Sequence, residues 1–367
     1  MKKIQIDFPL LIFVLILVSF GLLSIFNASS YIAYRDFGDK YRYIRDQFQW
    51  VALGLTAMTV ATFFDYRKLY NLSLPILISA IVLLVGVFIP GIGIYALGAN
   101  RWIDARFFII QPAEYVKLGL AIYLAAWFSR KENGRFLAFC LLIGLVLGLV
   151  MLEPDMGTAS VILVEAAVIY FLSGGSIWKF LAAVPVVGVA GFLLIKFSPY
   201  RAARLATFMN IGDSPEHATY HVRQILIALG SGGITGLGLG NSLQKYAYLP
   251  ENTTDSIFAI IAEEVGFIGS TILVLIFMAV VWRGFVIAVN AKDTFGKLLA
   301  GGIISFLAVQ AFINLAAQTA LIPLTGIPLP FISYGGSALV IDMCAIGILL
   351  SISRQSRSKI ESTIRKF

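Results

Sequence analysis

Long apolar runs alternate with short polar segments over the whole chain. The hydrocarbon core of a bilayer is about 30 Å thick, and a helix of about 20 residues spans it. Only helices and closed barrels satisfy all their backbone hydrogen bonds in lipid, so each run is predicted to be a helix. The runs lie at roughly 8–27, 47–64, 72–90, 112–128, 135–152, 157–174, 177–196, 256–281, 297–322 and 333–352. The pattern therefore predicts an all-α polytopic membrane protein with about ten transmembrane helices in one domain, residues 1–367.

Composition and charge support this fold class. The chain is 59% hydrophobic and 13% charged, with a mean hydropathy of +0.88, which is far more apolar than a soluble domain. Membrane topology and attraction to anionic lipids explain the net charge of +8, and no basic, aromatic-rich soluble segment points to nucleic acid. Membrane lipids are therefore expected partners, and nucleic acids are not.

The flanking charges indicate how the chain is oriented. Lys2 and Lys3 precede the first run as in a secretory signal, but the run is too long and Asn27-Ala-Ser-Ser is a poor cleavage site, so a retained helix is predicted. A cytoplasmic N-terminus puts 16 Lys and Arg residues on the cytoplasmic side and 6 in the short loops opposite. Positive charge accumulates on the cytoplasmic side. Both termini are therefore predicted to be cytoplasmic.

One long loop, residues 197–255, is predicted to lie outside the cell. Loops of this length usually carry function. It contains two segments of helical character, Tyr200–Phe208 and Tyr220–Leu229, that could lie on the membrane surface. Arg201 and Arg204 are three residues apart and share one helical face. That spacing suits an anionic lipid head group and equally suits two solvated surface charges.

An acidic residue, Asp255, lies where this loop meets the next apolar run, in the stretch Leu249-Pro-Glu-Asn-Thr-Thr-Asp255. At this boundary a lipid's head group lies beside the side chain while its tail stays in the bilayer. The helix dipole favours an acid at a helix start whatever its function, and keeps it ionised, as a general base must be. From position alone, catalysis and a merely structural role both stay open.

Few ionisable residues fall inside the predicted helices, where a charge costs about 2.5–3.5 kcal/mol on insertion scales. Glu114 and Lys117 are three residues apart on one helical face, either as a structural ion pair or as a pair that lines a polar cavity. Structural hydrogen bonding is predicted for Glu165 and Asp342.

Other reactive residues do not assemble into a recognised motif. Glu263 and Glu264 lie about 12 Å deeper than Asp255 on a helix, so neither is predicted to pair with it as in a glycosidase. The two cysteines, Cys140 and Cys344, fall within predicted spans, and with only two histidines a Cys/His metal cluster is excluded.

A series of short motifs carries a family resemblance. The motifs are Asn100-Arg-Trp-Ile103, Gln111-Pro-Ala-Glu-Tyr-Val-Lys117, Pro154-Asp-Met-Gly157, Gly238-Leu-Gly-Asn-Ser-Leu-Gln-Lys245, Leu249-Pro-Glu-Asn-Thr-Thr-Asp255 and Pro328-Leu-Pro-Phe-Ile-Ser-Tyr-Gly-Gly-Ser337. In this order, over residues 100–337, they resemble the SEDS family (shape, elongation, division and sporulation) of FtsW/RodA type. Each motif is weak alone, but together they are highly specific.

The resemblance implies a peptidoglycan glycosyltransferase that polymerises lipid II into glycan strands at the outer face of the cytoplasmic membrane. It implies that Asp255 is catalytic, as the general base for the acceptor 4-hydroxyl, with undecaprenyl diphosphate as the leaving group. Candidates for diphosphate binding are Arg101, Lys117, Arg201, Arg204 and Lys245, and further substrate-binding candidates are Glu114, Asp155, Gln244, Ser333 and Ser337.

The resemblance also bears on cofactor, partner and subtype. A divalent cation, Mg²⁺ or Mn²⁺, could assist the diphosphate, although no cofactor is required by the sequence. The implied partner is a class B penicillin-binding protein, a transpeptidase. The Ser-Leu-Gln-Lys245 ending is closer to the division type, FtsW, than to RodA. Thr253 and Ser256 depart from the family pattern, which usually has His and Phe there, so no role is carried over for a neighbouring His.

Two rival interpretations belong to other functional classes. A flippase or transporter of lipid-linked cell-wall precursors also needs many helices and buried charges, but such folds show inverted repeats, and no matching halves occur in the sequence. A scaffold that only holds partners would not need Asp255 for activity.

The charge bias generates a test of topology. Cysteines introduced near Asp213 should react with membrane-impermeant reagents added to whole cells or spheroplasts, and cysteines near Lys292 should not. The reverse labelling pattern would overturn the orientation and, with it, the extracellular site.

Overall fold

Each predicted span folds into one helix of the structure, a computed structural model that describes residues 6–96, 99–104, 106, 108–130, 134–210 and 220–364. The helices in the spans are α1 (Phe8–Phe37), α2 (Arg42–Phe63), α3 (Lys68–Gly86), α4 (Pro112–Phe128), α5 (Phe136–Leu152), α6 (Met156–Leu172), α7 (Ile177–Lys196), α10 (Ile257–Val289), α11 (Thr294–Gln318) and α12 (Gly336–Ile364). Five of them, α1, α3, α10, α11 and α12, are long and apolar enough to cross a bilayer. The predicted multi-pass helical membrane fold is confirmed.

Two further helices lie in the long loop, α8 (Pro199–Asn210) and α9 (Tyr220–Gly232). They coincide with the two segments of predicted helical character. α9 packs against α10 and buries Ile225 and Ala228 in a small apolar cluster with Leu249 and Ala259. The end of the loop therefore has a core of its own beside the start of α10.

A small antiparallel sheet is the one element beside the helices that the sequence did not predict among the described residues, and it leaves the all-α fold class unchanged. Its strands, β1 (Gly93–Ala96), β2 (Ala99–Asp104) and β3 (Ile109–Ile110), lie in chain order between α3 and α4. Gly93 pairs with Ile103, and Asp104 pairs with Ile109. The strands are too short for a clear alternating pattern, which is why the sequence did not reveal them. The sheet matters for the site because β2 carries Arg101 and β3 leads directly into α4.

Helix α11 is the central element of the bundle. It begins where the Asp293 carboxylate accepts a hydrogen bond from the backbone N–H of Gly296 (2.7 Å), a standard N-cap. The hydroxyl of the buried Tyr66 donates to the same carboxylate (2.6 Å). α11 packs against α4, α6 and α10, so most of its surface is buried. Polar side chains on this helix must therefore find partners inside the protein.

Helix α10 is broken at Gly266, whose backbone has φ 67° and ψ −168°. The preceding chain segment, residues 233–238, supplies the missing backbone partners. Its hydrogen bonds to α10 are Leu237 N–H to Glu263 O (3.0 Å), Gly238 N–H to Glu264 O (3.0 Å), Phe267 N–H to Gly233 O (2.9 Å) and Ile268 N–H to Ile234 O (3.1 Å). We call this arrangement the α10 staple. It gives four of the backbone groups around the break hydrogen-bond partners from the protein, as a lipid environment requires.

The break explains why glycine is needed at this position. A Cβ on Gly266 would lie 2.2 Å from the backbone nitrogen of Gly236, and its positive φ strains any other residue. The change Gly266→Ala should therefore lower the free energy of unfolding by about 1–3 kcal/mol or more. The measurement is the thermal midpoint of the detergent-purified protein, which should fall.

A matched control is Gly144→Ala in α5, where an added Cβ meets no atom within 4 Å. Alanine is the better helix former, so this change should leave stability equal or slightly raised. Equal midpoints for both variants would contradict the staple's dependence on glycine.

Candidate active site

Asp255 lies in a tight turn that leads into α10. The backbone N–H groups of Thr254 and Ser256 both donate to the carbonyl of Glu251 (3.2 Å each), and Glu251 has a positive φ of 50°. Ser256 is the N-cap residue of α10. Asp255 thus lies immediately before the N-cap residue and outside the first turn of the helix.

The surroundings of Asp255 bring the pKa of its carboxyl close to neutral pH. Burial and the negative charge of Glu251 raise the pKa of this group to about 7, and Arg204 and the Thr254 hydroxyl oppose the rise. The helix dipole was expected to keep the carboxylate ionised, but desolvation raises the pKa above its usual range. A carboxyl that titrates near neutral pH can both accept and release a proton at that pH.

Two amide side chains of α11 hold the backbone of Asp255, and sequence reasoning missed both. Asn314 Nδ2 and Gln318 Nε2 donate to the Asp255 carbonyl oxygen, at 2.9 and 2.7 Å. With Gln310 they form a stripe at i, i+4 and i+8 spacing, which we call the amide ladder. All three are at most 2% exposed. Amides recurring at helical spacing in a long apolar run were the available signal.

The loop between α11 and α12 lies beside the same turn. Gly326 has φ 78°, and a Cβ on it would lie 3.8 Å from Asp255 Oδ2. The backbone N–H of Tyr334 donates to the carbonyl of Thr253 (2.8 Å). A Cβ on Gly157 would lie 2.3 Å from Ile327 Cγ1, so glycine in the Pro-Asp-Met-Gly motif permits this loop to approach α6. Three of the motifs therefore meet around Asp255.

Two residues from the long-loop helices approach Asp255. Arg204 on α8 interacts electrostatically with its carboxyl, and Arg204 Nη1 donates to the carbonyl of Leu324 (2.9 Å). The side chain of Arg201 lies outside the described part of the structure. His221 on α9 lies 2.7 Å from the hydroxyl of Ser256, measured from Nε2 to Oγ, and burial lowers its pKa. His221 was not predicted, since it is distant in sequence from the motif.

Arg101 and Asp155 lie together in a second polar group, in which both have structural partners. Arg101 donates from Nε to the carbonyl of Glu153 (2.9 Å) and from Nη2 to that of Pro154 (2.7 Å). Asp155 caps α6 by accepting from the backbone N–H of Thr158 (2.9 Å). Burial and the neighbouring Asp155 raise the pKa of Glu153 to about 8, and Arg101 opposes the rise.

Serines of the last motif and Gln111 connect this group to α12. Gln111 Nε2 approaches Asp155 Oδ2 at 3.4 Å, and its backbone N–H donates to Ser337 Oγ (3.3 Å). Ser333 Oγ accepts from the backbone N–H of Leu329 (2.8 Å). Both serines therefore stabilise backbone where the sequence predicted contacts with substrate, and their binding role stays a prediction.

Glu114 and Lys117 form an ion pair within the bundle. Lys117 Nζ lies 2.7 Å from Glu114 Oε2, and each side chain is 1% exposed. Lys117 also donates to Gln310 of the amide ladder. Glu165 and Asp342 act electrostatically on Lys117, but neither carboxylate oxygen of Glu165 has a hydrogen-bond partner among the described residues. This geometry favours the structural ion pair, and contradicts the predicted hydrogen bonding of Glu165.

Lys245 and Gln244 lie with the α10 glutamates, in a group separate from Asp255. Lys245 Nζ donates to Asn27 Oδ1 (3.2 Å) and lies 3.9 Å from Glu264 Oε1. The Gln244 backbone N–H approaches Glu263 Oε2 at 3.4 Å. Glu263 and Glu264 thus do not face Asp255, as predicted from helix geometry.

The described residues contain no group of three His, Cys, Asp or Glu side chains placed to hold one metal ion. Asp255 and Glu251 are the acids of the turn, and cations and amides surround them. Two carboxylates alone do not form a closed cation cage, although Mg²⁺ is commonly held by one or two carboxylates together with waters and substrate phosphates. The divalent cation raised by the resemblance therefore stays a prediction.

Comparison with known sequences identifies close relatives over the whole length. The sequence profile described as Cell cycle protein, FTSW_RODA_SPOVE, matches residues 8–358. Stage V sporulation protein E of Bacillus subtilis (strain 168) is 39% identical over 363 residues, covering 97% of this chain and 99% of that protein. A probable peptidoglycan glycosyltransferase FtsW of Geobacter sp. (strain M18) is 35% identical over 365 residues, covering 97% and 99%. These relatives agree with the predicted family and enzyme class.

Solved structures share the fold. A chain from a structure on coordination of polymerization and crosslinking by a peptidoglycan synthase complex superposes with a TM-score of 0.79 at 25% identity, over 96% of this chain and 98% of that one. The rod shape determining protein RodA of Thermus thermophilus superposes with a TM-score of 0.72 at 26% identity, over 97% and 99%. The division subtype stays a prediction, since the relatives include sporulation and rod-shape proteins.

The pKa of Asp255 generates a test by pH dependence. If Asp255 is the general base that the resemblance implies, glycan formation should fall as the pH drops through about 7, because the protonated carboxyl cannot accept a proton. Removing the like charge by Glu251→Gln should lower the pKa of Asp255 and move this acidic limb to lower pH. Initial rates measured between about pH 5 and pH 9 show whether the acidic limb moves to lower pH.

The control for this test is Asp104→Asn, an exposed acid on β2 that accepts from the backbone of Arg106 and does not act on Asp255. The Asp104→Asn change should leave the acidic limb of the pH profile at the parental pH. An acidic limb at the parental pH in Glu251→Gln would contradict the assigned electrostatics.

Proposed function

Because the chain belongs to the FtsW, RodA and SpoVE family of cell cycle proteins, we propose that it polymerises lipid II into glycan strands at the outer face of the cytoplasmic membrane. The observation that carries the proposal is the partly buried carboxyl of Asp255 with a pKa of about 7, at the junction of the long loop and α10. A general base works best when its pKa lies near the operating pH.

In the proposed reaction Asp255 takes the proton of the acceptor 4-hydroxyl as that oxygen attacks C1 of the donor sugar. The bond between C1 and the diphosphate oxygen breaks, and undecaprenyl diphosphate leaves with the electron pair. The configuration at C1 inverts, and Asp255 later releases its proton to water. Partial burial supports this role, since a carboxylate shielded from water is a stronger base than a solvated one.

Positive charge is needed where the diphosphate leaves. Among the predicted cations whose side chains the structure describes, Arg204 is the one that acts electrostatically on the Asp255 carboxyl. Arg204 donates to the carbonyl of Leu324, and Arg101, Lys117 and Lys245 also hold internal oxygen atoms, so its position near Asp255 is what distinguishes it. We therefore assign the diphosphate to the α8 side of Asp255, with Arg204 as its principal ligand.

The proposed partner is a class B penicillin-binding protein, whose transpeptidase activity would crosslink the new strands. The likeness to a chain of a peptidoglycan synthase complex supports this assignment. Such a partner would contact the lipid-facing surface through its membrane helix. Cell division or cell shape is the process served, as the names of the relatives suggest.

The transporter alternative draws on one observation, the broken helix α10, since broken helices are typical of transporters. In this chain the α10 staple fills the break with protein backbone. The adjacent Glu263 is also occupied, because Ser242 and Ser231 both donate to it. The break is therefore not an open binding site, and glycan polymerisation is the better supported function.

The decisive substitution is Asp255→Asn, which keeps the size of the side chain and removes the base. We expect a loss of about 10²–10⁴ in the rate of lipid II polymerisation by the purified protein with its transpeptidase. Lipid II binding should persist, because the diphosphate ligands are unchanged. Asp255→Glu should also retain little activity, since the added methylene moves the carboxylate and positioning is steep.

The folded state of both variants is checked by thermal melting and by retention of the transpeptidase. An Asp255→Asn protein that polymerises at close to the parental rate would refute the base assignment. Movement of lipid II across vesicle membranes at equal rates by parent and variant, with no polymer from either, would support a transporter instead.

A further inference from the structure

We infer that Asn314 and Gln318 are positioning residues for the reaction: they fix the backbone of Asp255 so that its carboxyl meets the acceptor hydroxyl. The inference rests on the proposed function of Asp255. Neither amide touches the carboxyl itself, since both act on the backbone carbonyl of the same residue. The two amides therefore act on the reaction by placing the carboxyl of Asp255.

The contacts leave Asp255 little freedom. A carbonyl oxygen has two lone pairs, and here each amide donates to one, at 2.9 Å from Asn314 and 2.7 Å from Gln318. Gln318 Nε2 also donates to Asn314 Oδ1 (2.7 Å), and Gln318 Oε1 accepts from the backbone N–H of Ala259 (2.8 Å). The two amides thus join the Asp255 turn to the first turn of α10.

The remaining hydrogen bonds of the amide ladder hold the loop of residues 326–328, which lies beside Asp255. Asn314 Nδ2 donates to the carbonyl of Ile327 (2.7 Å), and Gln310 Nε2 donates to that of Pro328 (3.1 Å). Asp255 and the loop of residues 326–328 are therefore attached to one face of one helix. A ligand held between them meets both at a fixed separation.

The amide ladder lies on a helix that is packed inside the bundle. α11 is the buried central helix, and buried amides are costly unless hydrogen-bonded. At its inner end Gln310 accepts from Lys117, which is paired with Glu114. Lys117, which the resemblance made a candidate for diphosphate binding, thus supports the Gln310 end of the ladder.

The ladder differs from the other groups around Asp255 in carrying no charge. Glu251 on the turn and Arg204 on α8 act on the titration of Asp255, and His221 on α9 lies at the neighbouring Ser256, while α11 contributes amides. α9 also carries Arg223, and the side chain of Arg201 on α8 lies outside the described part of the structure. Replacing a ladder amide by an apolar residue therefore leaves the local charge unaltered. Any change in the titration of activity must then come from a change in the position or hydration of the carboxyl.

The experiment uses two single variants, Asn314→Leu and Gln318→Met, in the full chain with its transpeptidase. Each removes one donor and leaves the other on the Asp255 carbonyl. A displacement of about 1 Å costs about 10²-fold in rate, so kcat should fall about 10- to 100-fold, with KM for lipid II nearly unchanged. The acidic limb should also move to lower pH, because a loosened turn admits water to the carboxyl.

The matched control is Ser305→Ala on the same helix, a buried hydroxyl that bonds only the local carbonyl of Gly302 among the described residues. It should keep the parental kcat and acidic limb. A purely structural role of the amides would lower the rate by one factor at every pH and leave the limb in place, and that result would overturn the inference. Parental kcat in a folded ladder variant would do so as well.

Folding failure is also informative. If only one of Asn314→Leu and Gln318→Met accumulates in cells, the kinetics of that variant test the inference. If neither accumulates while Ser305→Ala does, the amide ladder is needed for folding and the inference is wrong. The Asp255→Asn protein separates this outcome from the proposed function. An inactive Asp255→Asn beside fully active ladder variants refutes only the positioning role, whereas an active Asp255→Asn refutes the base itself.

Discussion

Hydrocarbon offers no hydrogen bonds, so every polar group that the chain carries into the membrane must find its partner within the protein. This requirement accounts for the arrangement of most charged side chains described above. Lys117 is held by Glu114 and Gln310, Arg283 donates to Asp7, and the break in α10 is closed by backbone from the preceding segment. The carboxyl groups that depart from this pattern among the described residues include Glu165, which has no hydrogen-bond partner, and Asp255, which defines the site and has no close ion-pair partner.

The fold was largely predictable from the sequence because lipid simplifies the problem. A long apolar run has essentially one solution in a bilayer, and each run became a helix. The β1–β3 sheet was not predictable, since strands of two to six residues have no measurable periodicity. Its pairing depends on the position of α3 and α4, which bring the two ends of the loop together.

The candidate site was predicted in part. Asp255 followed from its motif and from its position at the end of the long loop, but its partners did not. A sequence shows that Arg101 and Lys245 are cationic, yet cannot show that one meets the carbonyls of Glu153 and Pro154 and the other meets Asn27. Those contacts join segments far apart in the chain. The same distance hid Asn314 and Gln318, which lie about 60 residues beyond the carbonyl that they hold.

The break at Gly266 divides α10 into an outer rod that begins at Ile257 and an inner rod that ends at Val289. The inner rod is tied to the N-terminus through Arg283 and Asp7, whereas the outer rod is joined to α9 and its following segment through the α10 staple. Because Gly266 interrupts the helical backbone, the orientation of the outer rod is not fixed by the inner rod alone. Asp255, which precedes the outer rod, is placed by the contacts of the long loop and α11.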